Sequence, residues 1–531
     1  MLRKQIGVLL LFLFLGFGCF EVQAQDTLSL TIEKNEYWWG GVSSDSHLMP
    51  YSSSTSLKRD LLGNNYGNQA QPLLLSSHGR YIWSSKPIAY HFDEGTITVT
   101  SEYGEIKTGK QDKNLREAFQ YSKEQFFPPQ GEYPNPLMFT APQYNTWIEL
   151  MYDQNQEDIL EYARNIIDQG YPPGVIMIDD NWQVDYGVWK FSSERFPNPK
   201  KMMDELHKMG FKVMLWVVPL VSPDSRLYRD LAEKDMLLNN SDEEPAMIRW
   251  WNGVSAALDL SNPDTQSWFK GQLDYLVKEY GVDGFKFDGG DTHHYQGNLK
   301  SHKPSLPNDH TRYFAEIGLD YPLNEYRASW KMAGYPLAQR LRDKDHSWED
   351  LQKLIPGIVA QGLMGYAFTC PDMIGGGQFT AFLDESTMDE ELIVRSAQVH
   401  ALMPMMQFSV APWRILSEEN QQRVKEMAKL HAKMGETILE FAKESAQTGE
   451  PIVRPMAYTY PNSGYATIND QFMLGPEIMV APVVQKGQRK RIVKIPEGTW
   501  KAENGNIYDG PTTENIDVPL GRLPWFKKVR P

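Results

Sequence analysis

Between about residue 144 and residue 434, short apolar runs alternate with helical stretches, and this alternation limits the folds open to the chain more than any other feature. Residues 146–152, 174–178, 211–218 and 365–369 read as strands, and 156–169, 199–209, 265–280 and 348–355 as helices. Strands that alternate with helices in this way form parallel sheets. The expected class is therefore α/β, and the length suits a (β/α)8 TIM barrel with insertions over 144–434. Upstream, residues 26–140 look like β-structure, with half-buried alternation at 28–32 and 96–100. An N-terminal β-sandwich-like domain is expected over 25–143. Short strands at 472–474, 478–482, 491–495 and 516–519, separated by Gly, Pro and Asn turns, point to a C-terminal β-sandwich over 435–531.

One strand carries chemistry on its face. Gly281-Val282-Asp283-Gly284-Phe285-Lys286-Phe287-Asp288-Gly289-Gly290-Asp291 follows a helix and ends in carboxylates and glycines. Side chains alternate with period two, so Lys286 and Asp288 share one face while Phe285 and Phe287 share the other. The phenylalanines suit a layer of helices. Asp288 then sits at the strand's C-terminal end, where barrels place catalysis. A carboxylate held beside a cation stays ionised and can act as a nucleophile.

Charge and composition narrow the partners. The 531 residues carry a net charge of −15, and no basic stripe interleaves with aromatics, so no nucleic-acid partner is expected. Aromatics make up 12%, which suits either sugar-stacking platforms or a large core. Tyr37-Trp38-Trp39-Gly40-Gly41 reads first as a buried aromatic corner and second as a loop over a neighbouring active site. Arg3 and Lys4, an apolar run over 7–20 and Val22-Gln23-Ala24 read as a secretory signal over 1–24, too short for a comfortable membrane span. Cys19 invites lipid anchoring, but Gly16-Phe17-Gly18 is a poor lipobox, so soluble export to the periplasm or medium is expected. With the leader removed, only Cys370 remains, and neither an internal disulfide nor a multi-cysteine metal site is possible.

Three acidic clusters lie at or near strand ends: Asp179-Asp180, Asp288 with Asp291, and Asp343-Lys344-Asp345-His346-Ser347-Trp348-Glu349-Asp350. The last imitates a calcium loop, but Trp348 stands where glycine is needed and Leu354 where glutamate is needed. His293 and His294 are adjacent and lack helical zinc spacing. There is no nucleophile elbow, P-loop or strand-linked dinucleotide fingerprint. Neither a metal nor a cofactor is expected. Carboxylates converging on a barrel mouth, with tryptophans nearby, are the equipment of glycoside hydrolysis.

The chain resembles glycoside hydrolase family 31, the retaining α-glycosidases. The segment from Phe191 to Val213 is similar to the family's second helix and third strand. Asp470-Gln471-Phe472-Met473-Leu474-Gly475, with Val480-Ala481-Pro482-Val483, is similar to its C-terminal sandwich. The resemblance implies that Asp288 is the nucleophile, at the end of the fourth barrel strand, and that Asp345, followed by Ser347-Trp348, is the acid/base. It further implies sugar contacts from Asp179 or Asp180 on the second strand, Trp216 on the third, Lys286, Arg327 and Asp372 as the sixth-strand aspartate. Trp250-Trp251 reads either as loop packing or as an acceptor platform, and Trp251 is placed with the substrate-binding residues. The family's seventh-strand region usually supplies a histidine that holds ring hydroxyls. Here it reads Phe408-Ser409-Val410-Ala411-Pro412-Trp413-Arg414, which points away from typical α-glucosidase recognition. Phe285-Lys286-Phe287-Asp288, Cys370-Pro371-Asp372 and Tyr37-Trp38-Trp39 resemble the branch of myogenesis-regulating glycosidases and bacterial α-galactosidases.

The implied activity is exo-acting hydrolysis of an oligosaccharide or other α-glycoside by double displacement, with α-galactosidase as the favoured specificity. The alternatives are an α-glucosidase or α-xylosidase of the same family, a transglycosylase, and a non-catalytic carbohydrate-binding barrel. Lys344 is expected to point away from Asp345, because a cation there would oppose the raised proton affinity an acid needs.

Overall fold

The computed structural model describes residues 26–111, 113–383 and 388–529. Among them, eight parallel strands form the barrel: β1 (Gln143–Asn145), β2 (Val175–Ile178), β3 (Lys212–Val217), β4 (Gly284–Phe287), β5 (Leu323–Tyr326), β6 (Gln339–Arg340), β7 (Thr369–Cys370) and β8 (Gln407–Phe408). Their hydrogen-bonded order is β7-β6-β5-β4-β3-β2-β1-β8. Between β8 and β7 the ring is bridged by Ile374 and Phe408, with the Ile374 amide donating to the Gln407 carbonyl at 2.8 Å. The run at 146–152 is not a strand. It is the helical turn Trp147–Leu150, and the first strand lies just before it. The run at 365–369 contributes only its last residue to β7.

Local signals explain how β4 is delivered. The preceding helix, Pro263–Tyr280, is capped by the Asn262 side chain and has proline in its first turn. It stops at Gly281, whose φ of 82° is a left-handed conformation that costs glycine little. Phe285 and Phe287 then turn outward onto Tyr321, Phe314 and Tyr326, and the Phe287 and Tyr326 rings stack at 4.7 Å. Lys286 is left facing the barrel axis.

The barrel interior is polar on one side. Glu325 on β5 and Arg340 on β6 pair at 3.1 Å, both 1% exposed. Gln407 on β8 donates to Glu325 at 2.6 Å and to Gln143 on β1 at 2.9 Å. Buried polar side chains are tolerable here because they bond one another, with the Gln407 Oε1 as the exception.

The N-terminal module holds a four-stranded antiparallel sheet and a second sheet built on Gln69–Ser76. It is not β-structure to residue 140, because Leu115–Phe126 is a helix capped by Asn114. Trp38 and Trp39 are buried, so the aromatic segment is a corner of the core. The barrel segment Ser329–Trp330 adds in parallel to Gln69–Ser76, which joins the two units in one sheet. The C-terminal module is a six-stranded antiparallel sheet dominated by the hairpin of Lys490–Ala502 and Ile507–Asp517. The boundary expected at 434/435 falls inside a continuous helix, Glu418–Thr448. The expected leader and Cys19 lie outside the described residues. Among the described residues, no helix is long and apolar enough to cross a membrane.

Candidate active site

A cavity of about 840 Å³ opens at the C-terminal ends of the barrel strands. Asp288 follows β4 directly, and its amide is tied to the Val217 carbonyl at 2.9 Å. Its Oδ1 accepts from Arg327 Nε at 2.9 Å and from the Gly289 amide at 2.8 Å. Its Oδ2 accepts from Trp216 Nε1 at 3.1 Å. Burial alone would raise the proton affinity of this carboxylate. The charges of Arg327, then Lys286 and Arg340, outweigh burial and hold it well below the ordinary aspartate range. Asp288 is therefore ionised throughout the physiological range. Arg327 is fixed in turn by Asp291, through paired contacts of 3.0 and 2.5 Å, and by the Gly67 carbonyl at 2.9 Å.

Lys286 does not bond Asp288 directly. Its Nζ donates to Asp179 Oδ2 at 2.6 Å, a pair that is 4–5% exposed, and it stabilises Asp288 through space. Asp180 beside it takes Asn252 Nδ2 at 2.5 Å and the Tyr186 hydroxyl at 3.3 Å, while its buried Oδ1 has no hydrogen-bond partner. Burial and then the charge of Asp179 push the Asp180 carboxyl up to about 7. Both aspartates, Lys286 and Trp216 line the cavity, so the second- to fourth-strand residues expected at the site are brought together.

The acid/base expectation is corrected. Asp345 is exposed and is not among the cavity residues; Asp343, two residues earlier, is. The amide of Asp345 donates to Asp350 Oδ2 at 2.6 Å and its carbonyl accepts from Ser347 at 2.8 Å. That turn starts the helix Trp348–Leu363 and carries the Asp345 side chain into solvent. Lys344 reaches the Arg342 carbonyl and does not pair with Asp345. Asp343 keeps its side chain 41% exposed and is anchored by Arg340 Nη1 at 2.7 Å. Burial pushes Asp343 up, but Arg340 and then Lys286 outweigh it, so the resting carboxyl lies below its usual range.

Asp372 is corrected as well. It follows β7, not a sixth strand, and the segment around Phe408 is the eighth strand, not the seventh. Asp372 is 1% exposed, outside the cavity wall, and bonds Arg340 Nη1 at 2.6 Å and the Lys344 amide at 2.9 Å. Its carboxylate supports the Asp343 loop and does not face a ligand.

Trp251 lines the rim, 49% exposed, with the Arg327 guanidinium 5.6 Å from its ring. Trp250 behind it is buried and stacks on Trp216 at 6.4 Å. Sequence reasoning missed the loop of the N-terminal module that brings Asn64, Tyr66 and Gly67 to the cavity. Nothing local marks that loop. Long-range bonds hold it, including Gln69 Nε2 to the Arg327 and Arg340 carbonyls at 2.7 and 2.8 Å.

Comparison with known proteins fits this geometry. Residues 136–438 match the glycosyl hydrolases family 31 TIM-barrel domain, and residues 449–529 match the glycosyl hydrolase family 31 C-terminal domain. The chain is 32% identical over 411 residues to myogenesis-regulating glycosidase of Mus musculus, covering 75% of this chain and 57% of that protein. It is 25% identical over 409 residues to alpha-glucosidase 2 of Bacillus thermoamyloliquefaciens, covering 71% and 51%. The chain thus spans little more than half the length of these curated relatives. The GH31 dextranase of Flavobacterium johnsoniae complexed with glucose superposes with a TM-score of 0.82 at 20% identity, covering 95% of this chain and 66% of the other. That identity speaks for the fold alone, but the domain match spans more than half of the chain and includes every residue of the barrel mouth that carries charge: this protein belongs to glycosyl hydrolase family 31.

Proposed function

We propose that the chain is a retaining, exo-acting α-glycosidase that cleaves terminal α-galactosides, with Asp288 as nucleophile and Asp343 as acid/base. The observation that carries this reading is one cavity lined by both carboxylates, the first locked in its ionised form and the second open to solvent on one edge. In the first step Asp288 forms a bond to the anomeric carbon while the bond to the leaving oxygen breaks and Asp343 gives that oxygen its proton. In the second, Asp343 takes a proton from water, the water oxygen bonds to the anomeric carbon, and the Asp288 ester bond breaks. Asp343 rests as an anion under Arg340. An aglycone that covers its exposed edge desolvates it and, with the charge of Asp288, raises its affinity for a proton. Support for galactose comes from the eighth strand. The segment Phe408–Arg414 that follows it carries no histidine to hold ring hydroxyls, and the Ser409 hydroxyl there is spent on the Gly376 carbonyl at 2.7 Å. The ring hydroxyls are then read by Asp179 and Asp180 after β2 and by Lys286 on β4.

Aryl α-galactoside, α-glucoside, α-xyloside and α-N-acetylgalactosaminide separate the specificities, with the galactoside expected to turn over fastest. Azide reports the roles: Asp288→Ala should yield the β-glycosyl azide, Asp343→Ala the α-azide, and Asp345→Ala should behave as wild type. An α-azide from Asp288→Ala, or loss of turnover in Asp345→Ala with Asp343→Ala intact, would overturn the assignment.

A further inference from the structure

One carboxylate on β5 and two on the loops after β6 and β7 meet on one buried guanidinium. Arg340 Nε donates to Glu325 at 3.1 Å, and its Nη1 serves both Asp343 Oδ1 at 2.7 Å and Asp372 Oδ1 at 2.6 Å. Nη1 has two hydrogens and three acceptors, these two carboxylates and the Leu341 carbonyl at 3.0 Å, and both anions lie against one positive charge, so the charge state of each carboxyl bears on the other. The backbone also commits Asp372 to this contact. Its φ is 88°, a left-handed conformation unfavourable for any residue with a Cβ and kept only where surrounding bonds enforce it. Those bonds run to Arg340 and to the Lys344 amide, the residue next to Asp343. The following loop closes on the same spot. A Cβ on Gly377 would stand 2.3 Å from the Asp343 carboxyl carbon, and the Gly377 amide donates to the Lys344 carbonyl at 3.2 Å.

We propose that Asp372 is a positioning residue that governs Asp343 through the guanidinium they share, leaving Asp343 a base when Asp372 holds a proton and an acid when Asp372 is ionised. With Asp372 protonated, Asp343 no longer competes with a second anion at Nη1 and stays an anion, ready to take a proton from water. With Asp372 ionised, the charge is divided and Asp343 binds a proton from solvent for the leaving oxygen. Burial, partly offset by Arg340, and the charge of Asp343 push the Asp372 carboxyl up, toward the range where it exchanges a proton. The other groups facing it are the Lys344 side chain, held low by burial, the buried Cys370 thiol, which donates to the Asp372 carbonyl at 3.3 Å, and His400, held neutral by burial. This inference rests on Asp343 being the acid/base.

Asp372→Asn makes the partner neutral at every pH. Its kcat/KM for an alkyl α-glycoside, which needs an acid, should fall about 10-fold or more at pH 7, with the alkaline limb moved down by about one pH unit. A dinitrophenyl glycoside, which needs no acid, should lose less than about 3-fold. Equal losses on both substrates with an unmoved limb would mean a merely structural role and would overturn the proposal. Thermal stability gives a second measurement free of catalysis: the Tm shifts of Asp343→Asn and Asp372→Asn should be non-additive in the double variant, and strict additivity counts against the shared guanidinium. A wild-type enzyme inert on every α-glycoside would remove the glycosidase reading, while the stability cycle would still decide the coupling.

Discussion

The two halves of the barrel mouth handle charge in opposite ways. On the β2–β4 side, every carboxylate but Asp180 is matched with a cation: Lys286 with Asp179, and Arg327, from the end of β5, with Asp288 and Asp291. On the β5–β7 side, Arg340 alone is divided among Glu325, Asp343 and Asp372. Local matching fixes a protonation state, as a nucleophile requires. Sharing leaves a protonation state adjustable, as a group that is acid in one step and base in the next requires. The difference is also one of depth, because Asp288 is 13% exposed and Asp343 41%.

The largest effects should come from the reacting carboxylates and should differ in kind. Asp288→Asn is expected to lower kcat/KM by more than about 10⁴-fold whatever the leaving group. Asp343→Asn should cost about 10²- to 10⁴-fold for alkyl glycosides and little for activated aryl ones. Steady-state kinetics over a leaving-group series reads both, and identical slopes for the two variants would erase the contrast. Stability should separate the halves next. Arg340→Met uncovers two buried carboxylates, Glu325 and Asp372, and frees Asp343, and should destabilise the fold by about 3–5 kcal/mol, whereas Lys286→Met uncovers chiefly Asp179 and should cost less. Denaturant unfolding gives the order, and a reversed order would break the comparison.

The smallest effect lies in the pH dependence of stability. Unfolded, the Asp180 carboxyl loses its proton near the ordinary aspartate value; folded, it does so only at about 7. Between those values the native state holds more protons than the unfolded chain. Stability should therefore fall as pH rises through this window, by at most roughly 1.4 kcal/mol per pH unit for this one group. Asp180→Asn should flatten that slope. Asp288, held low, acts in the opposite sense: its contribution is present above the unfolded value and is lost as pH falls toward its folded one.

The legible part of the chain was the part whose strands are apolar. Val175–Ile178, Lys212–Val217 and Gly284–Phe287 announce themselves because their side chains are buried among other apolar groups. Leu323–Tyr326, Gln339–Arg340 and Gln407–Phe408 do not, because Glu325, Arg340 and Gln407 satisfy one another across the barrel and carry no hydrophobic period. The same asymmetry explains which of the two carboxylates proposed to react was legible. Asp288 stands directly after an apolar strand, so the alternation of side chains aims it. Asp343 and Asp345 lie two residues apart on an irregular loop, and the Asp350 cap on one and the Arg340 anchor on the other decide which faces the cavity.

By itself the sequence determined the barrel, its flanking sheets and the placing of Asp288, since hydrophobic period and strand ends are local properties of the chain. Tertiary structure alone decided that Asp343 and not Asp345 faces the cavity, that Asp372 supports it from behind, and that the loop of Asn64, Tyr66 and Gly67 completes the rim. The last two depend on contacts between residues tens to hundreds of positions apart, such as Arg340 with Asp372 and Gly67 with Arg327; the first rests on the short-range Arg340–Asp343 and Asp345–Asp350 contacts, whose direction is set only once the barrel holds Arg340 in its interior.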